Sequence, residues 1–254
     1  MPEELSVSQA ASAQPAGMSQ MGRVVDTFLA PTHTFTDILR DASWWMPYLI
    51  AVVLGIAFGF TTTQKIGYER LTDAVIHQRP SLEETISNST PADAARIRAR
   101  IEGQFKYVIY LTPVIIVLVG LLCAGVLLAT VNFGLGGKAT FGQMAAVWFY
   151  SGLPLAFISL LAIIAIYAGM GADQFNMQNP VGTNVGYYLP PDTPKWLSGF
   201  ADSLDIFSIW SACLLTIGMS VVGKVKRGAA AIAVFSLWLL YILIFKVALA
   251  SMGG

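Results

Sequence analysis

Apolar residues in this chain gather into five long runs, 44–63, 107–131, 143–169, 205–223 and 229–249, and polar residues fall mostly between them. Each run is about as long as the ~20 residues with which a helix crosses the hydrocarbon core of a bilayer. In hydrocarbon every backbone N–H and C=O must be paired within the protein, so uninterrupted apolar runs of this length predict helices. The expected fold is all-α: a polytopic transmembrane bundle of five helices, with a helical extramembrane insertion at 64–106.

The connecting segments carry their own signals. Residues 1–22 are small and polar and read as a disordered tail preceding a membrane domain over 23–250. Val24, Val25, Phe28 and Leu29 then form a short amphipathic turn that Pro31 ends. Phe35, Ile38, Leu39 and Ala42 recur at helical spacing behind a Thr34/Asp37 capping-box pattern. These short helices are expected at the interface, leading into Trp44 and Trp45, whose indoles suit the headgroup belt. In the insertion, 66–77 reads as helix, Pro80 stops it, and Ser81 with Glu84 repeats the capping-box pattern. Thr90-Pro91-Ala92-Asp93 combines a cap, a first-turn proline and an acid facing the helix dipole. A helix from 91 to 131 would be about 60 Å long at ~1.5 Å per residue and must project beyond the bilayer. Residues 132–140 read as a turn, 170–202 as a long loop, and 224–228 as a tight basic turn. Pro113 and Pro154 are expected to kink the second and third spans.

Composition sharpens the class. The chain is 55% hydrophobic and 12% charged, against roughly 25% charged in a soluble domain. Its 15 basic and 15 acidic residues cancel, which removes any argument for a nucleic-acid partner. The first 43 residues lack a basic start followed by an apolar core, so the first span is expected to serve as an uncleaved anchor. Cys123 and Cys213 both fall in apolar runs and read as small buried hydrophobes. Arg23, Arg40, Lys138, Lys224, Lys226 and Arg227 share one end of a five-span bundle. The insertion's bases are nearly balanced by Glu69, Asp73, Glu83, Glu84, Asp93 and Glu102. Treating it as a folded excursion puts the N-terminus in the cytoplasm and the C-terminus outside.

Candidate chemistry is sparse. Charge inside a span is costly and marks relays and ion paths, yet the runs are nearly free of it. Lys246 lies near the end of the last run and can snorkel. Asp202 and Asp205, spaced i, i+3 at the start of the fourth run, could hold a cation, but acids there also suit the helix dipole. His33 and His77 flank the first span on opposite sides, too far apart for one metal or for a serine at mid-depth. No catalytic, cofactor-binding or metal-binding set is therefore expected. Gly55 and Gly59 form Gly-x-x-x-Gly, and Ala229 and Ala233 repeat the spacing; such faces suit close helix packing within the bundle or with a partner.

Three stretches carry a family resemblance: Phe28-Leu29-Ala30-Pro31 with Phe35 and Trp44-Trp45; Thr140-Phe141-Gly142-Gln143 through Tyr150-Ser151 to Leu153-Pro154; and Asp205-Ile206-Phe207-Ser208-Ile209-Trp210 with Ile217-Gly218, Lys226-Arg227-Gly228-Ala229 and Trp238. Together they resemble the Yip family, the Ypt/Rab-interacting five-span membrane proteins, and especially its bacterial members. The resemblance implies a five-helix bundle in a bacterial cytoplasmic membrane, with a cytoplasmic N-terminus. Eukaryotic members are tied to vesicle traffic and prenylated Rab-type GTPases. This chain lacks their Asp-Leu-Tyr-Gly-Pro string and carries the large 64–106 insertion, which argues against a Rab-type GTPase partner.

The expected function is thus a non-enzymatic integral membrane protein of the Yip-like class. It would act through helix packing and partner binding in membrane organisation, with the lipid bilayer and a homo-oligomer or membrane-protein partner as its contacts. The alternative is a small transporter or permease subunit, suggested by the prolines and by Asn132, Gln143 and the Asp202/Asp205 pair. A third reading is a membrane enzyme using Asp173, Asp192, Asp202 and Asp205.

Overall fold

The structure, a computed structural model, describes residues 17–77, 79–171, 175–176, 179–190 and 193–248. Asp173, Asp192 and most of the expected tail lie outside the described residues. Within them the secondary structure is helical, with one isolated antiparallel bridge between Asn184 and Asp205. Among the described residues, five helical segments are long and apolar enough to cross a membrane: Trp45–Lys65, Pro91–Gly134, Phe141–Tyr167, Ile206–Gly223 and Arg227–Val247.

Local chemistry explains where the helices begin. Ser19 caps α1 (Gln20–Leu29) by accepting from Gly22 N. Pro31 opens α2 (Pro31–Ile38), because a first-turn residue needs no N–H partner. Thr34 is consequently inside α2 and caps nothing; its hydroxyl donates to the Arg23 carbonyl. The first span is α3 (Trp45–Lys65), followed across Gly67 (φ 88°) by α4 (Tyr68–His77). The Ser81/Glu84 box does not form either, since α5 (Pro80–Ser87) starts at Pro80 with Arg79 in the cap position. Thr90 does cap α6 (Pro91–Ala129) by accepting from Asp93 N, and this helix runs 39 residues through Pro113 without a break.

A π-helical turn, Thr130–Gly134, extends α6, and Asn132 then clamps both backbone groups of Ala139 at 2.8 and 3.0 Å. A capping box between Thr140 and Gln143 starts α7 (Phe141–Ser151). At Pro154 the α-helix gives way to a 3-10 turn, Leu153–Leu155, before α8 (Ala156–Tyr167). The two prolines thus differ: one is absorbed, the other changes the helix type. The 170–202 segment, read as a loop, contains α9 (Lys195–Ser203). Asp202 therefore belongs to α9, and Asp205 alone caps α10 (Ile206–Gly223). The chain then turns at Lys224, in the left-handed region (φ 53°), into α11 (Arg227–Tyr241) and a π-helical end, Ile242–Ala248.

Packing pairs α6 with α7 and α3, α3 with α8, and α10 with α7 and α11, while α2 lies on α10. The turns after α6 and α10 meet at one end, where Lys138 N donates to the Gly223 carbonyl at 3.3 Å. The α1–α2 hairpin shares that end: Arg227 reaches Thr32, and Ala42 packs near Gly142. The main core lies toward the same end and centres on Met144, Ala145, Ala146, Val147 and Tyr150, all fully buried. Four consecutive buried residues mean that α7 is enclosed on every side.

The α6–α7 contact depends on a missing side chain. A Cβ at Gly120 would enter the ring of Phe149, which is stacked on Trp44 at 4.8 Å and edge-on to Tyr48. With its ring held, Phe149 cannot yield cheaply. Gly120→Val should destabilise by about 1–3 kcal/mol through overpacking. The check is the thermal midpoint of purified protein in mild detergent, where an unchanged value would show that Phe149 can move aside.

Candidate functional site

Among the described residues, two part-buried polar assemblies stand at opposite ends of the bundle. At the hairpin end the centre is Arg23, whose side chain is 0% exposed. Nε donates to Asp37 at 2.6 Å, Nη2 to Asp41 at 3.2 Å and Nη1 to the Ser43 carbonyl at 3.4 Å. The guanidinium thereby joins α1 to α2 and to the residues leading into α3. The Arg23 carbonyl accepts from Thr27 and Thr34, so the backbone at this point is also saturated. Arg40 grips the other oxygen of Asp37, and the Tyr150 hydroxyl donates to Gln20 at 2.8 Å, tying α1 to α7.

The electrostatics agree with the geometry. Burial pulls the Arg23 pKa down, but its hydrogen bond to Asp37 and that carboxylate's charge more than offset this, with Tyr150 adding, and the net shift is upward. Burial pushes Asp37 up, while Arg40 and Arg23 together hold it below its ordinary value. Both groups stay charged at neutral pH. This cluster was not legible as a site in the sequence, where Arg23 read only as a basic residue for orientation. The usable signal is a single arginine in an apolar turn, with two acids 14 and 18 residues later.

The opposite end gathers Asn179, Thr183, Asn184, Asp202 and Asp205. Asn179 donates to Asp202 at 3.0 Å and exchanges side-chain hydrogen bonds with Asn184 at 3.1 and 2.6 Å. Asp205, 4% exposed, accepts from Phe207 N and Ser208 N, each at 2.9 Å, and from the Thr183 hydroxyl. Ile206 N donates to the Thr183 carbonyl, pinning the loop to the start of α10. Burial pushes the Asp202 carboxyl above its ordinary value, against the pull of Lys246 and Asn179. An open depression of about 430 Å³ lies beside this cluster, lined by Gly182, Thr183, Asn184, Val185, Tyr188 and Ile206 among others.

The expected site residues are distributed as follows. Asp202 and Asp205 share one assembly but are engaged by different partners. Among the described residues no three His, Cys, Asp or Glu side chains converge to hold a metal ion. Gly55 and Gly59 face α6, where a Cβ would come within 3.1 Å of Thr112 and 2.9 Å of Ile109. Ala229 and Ala233 are half-buried, while the neighbouring Ala230 and Val234 form the buried face of α11. Asn132 and Gln143 are occupied by a turn and a cap. A second cavity, about 110 Å³, is apolar and lies between α1, α3 and α8.

Comparison with protein-family models finds a match to the Yip1 domain over residues 25–248, most of the chain. No curated protein and no solved structure matches it.

The two polar assemblies should respond differently to substitution and to pH. Arg23→Ala leaves the half-buried Asp37 with only Arg40, so the loss should be roughly 3 kcal/mol, the low end for breaking a buried pair. Because Asp37 is depressed when folded, its contribution is present above the unfolded carboxylate pKa of ~3.9 and fades as pH falls through the lower folded value. Thermal midpoints should therefore hold through mild acid and drop below about pH 4, a drop that Asp37→Asn should shrink. Asp202 has the opposite sign. Its raised value favours the fold at acid pH and loses that contribution as pH rises. Asp202→Asn keeps an acceptor for Asn179 and should be neutral or stabilising at pH 7, whereas Asp205→Ala should cost about 0.5–2 kcal/mol as a lost cap. Equal effects at the two positions would contradict the separate roles.

Proposed function

The chain belongs to the Yip1-domain family, and on that footing we propose that it is a non-enzymatic membrane protein acting through helix packing and partner binding in membrane organisation. The observation that carries this reading is the reach of α6. Its 39 residues make a rod of about 58 Å at ~1.5 Å per residue, roughly twice the hydrocarbon thickness. Thr90 fixes its start, and Arg98 pairs with Asp73 so that α4 is braced against it. The result is a stiff projection carrying α4 and α5, which offers a partner a surface of mixed charge.

The rest of the polar inventory supports the same reading, because Arg23, Asn132, Gln143 and Asp205 serve internal bonds. Gly55 and Gly59 are taken up by α6, so partner contact falls to the projection rather than to that face. The transporter alternative gains nothing from the two cavities, one apolar and the other open at the end of the bundle. We place the hairpin end in the cytoplasm of a bacterial cell, since Arg40, Lys138, Lys224, Lys226 and Arg227 gather there. Recruitment of a Rab-type GTPase is not part of this proposal.

The test is photo-crosslinking in native membranes from single positions. Reactive residues at Glu84 and Arg100 should give reproducible protein adducts, while one at lipid-facing Leu118 should give lipid adducts. A chain that yields no protein adducts and supports solute uptake in proteoliposomes would replace this reading with the transporter one.

A further inference from the structure

The α1–α2 hairpin meets the bundle through Val24, Phe28, Phe35 and Ile38, keeps Arg23 and Thr27 covered, and leaves one apolar stripe of α1 uncovered. Arg23 and Thr27 point inward and are fully buried, whereas Met21, Val25 and Leu29 are 56%, 47% and 79% exposed. Their i, i+4, i+8 spacing places them in one stripe along α1. A helix whose outer face met water would carry polar residues in that stripe. We propose that the hairpin lies within the bilayer's cytoplasmic leaflet and that this stripe is seated on lipid acyl chains.

Three further observations support that occupant. Most of the hairpin's charge is paired internally: Arg23 and Arg40 meet Asp37 and Asp41 in contact pairs, and the remaining carboxylate, Asp26, lies beside His33 on the other edge. Paired charge can enter a low-dielectric layer at far less cost than a lone ion. Phe28 shows how far the tip of α1 reaches into the membrane: its ring lies edge-on to Phe157 at 5.6 Å, near the middle of the third span, and to Trp210 at 5.4 Å, in the fourth. The stripe also continues an existing lipid-facing surface. Val24 and Phe28, beside it, pack toward Ile50 and Leu54 of α3 and Leu160 of α8. On those same helices Leu49, Val53 and Ile164 are exposed.

The hairpin's other edge has the opposite character. Thr32, His33 and Thr36 are exposed, Asp26 sits 3.8 Å from His33, and Arg227 donates to Thr32. That edge faces headgroups and water. The hairpin is thus divided along its length, like an interfacial helix, but anchored to the bundle through Phe35 and Ile38.

Site-directed spin labelling of the full chain tests the assignment, in a Cys123→Ala, Cys213→Ala background reconstituted in phospholipid vesicles. Labels at Met21→Cys, Val25→Cys and Leu29→Cys should be relaxed several-fold more by oxygen than by a water-soluble nickel chelate. A label at Thr36→Cys should show the reverse preference. Chelate access at the three stripe positions would overturn the proposal in favour of a water-facing helix. Protection from both reagents would overturn it in favour of a protein neighbour, including a second copy of this chain. Should the cysteine-free background not reconstitute, a photo-crosslinking residue at Val25 in the otherwise unaltered chain gives the same decision. Lipid adducts support the proposal, and protein adducts or none overturn it.

Discussion

A guanidinium shut off from water must find its counter-charges inside the protein, and Arg23 finds them on a different helix from its own. That requirement fixes how the chain enters the bundle. Asp37, Asp41 and the Ser43 carbonyl can all reach Arg23 only if α2 folds back against α1, which the Ala30–Pro31 break permits. Folding back presents Phe35 and Ile38 to the bundle, and both become fully buried there. Breaking a buried pair by removing one partner costs about 3–5 kcal/mol, comparable to losing a large core side chain. The hairpin therefore belongs to the core as much as any span does.

The opposite end obeys the same constraint by different means. Backbone donors at the start of α10 are met by Asp205, and the loop that crosses over it is held by amide and hydroxyl groups rather than by ion pairs. Two carboxylates three residues apart end up with unlike roles, because one faces backbone N–H groups and the other faces a half-buried loop. Burial dominates at Asp202, and arginines dominate at Asp37, so the two shifts run in opposite directions.

What could be read in advance depended on whether the cause was local. Apolar runs, the Thr90 cap and the projection of α6 are set by neighbouring residues, and the sequence displays them directly. The family resemblance drew on the same local strings and is upheld by the family match. Harder to see was anything decided across the chain. Thr34 and Ser81 looked like caps, but the proline at the head of each helix moved its start upstream. Pro113 and Pro154 looked alike, yet one lies in a continuous helix and the other beside Gly152, where a 3-10 turn forms. Arg23 could not be recognised as buried because its partners come from another helix. The loop cluster was invisible because asparagines carry no pattern until the chain brings them together.

The family match begins at Val25, two residues after the arginine on which the hairpin depends. Physical criteria move that boundary back. Ser19 caps α1, Gln20 accepts from Tyr150 in the middle of the core, and Arg23 closes the ion pairs with Asp37 and Asp41. A unit cut at Val25 would keep both acids and lose their cation, leaving Asp37 to Arg40 alone. The smallest stretch that satisfies its own buried charges therefore starts at Ser19, whatever the sequence profile of the family emphasises. Profile boundaries follow recurrent residue types, whereas folding boundaries follow the pairing of groups that water cannot reach.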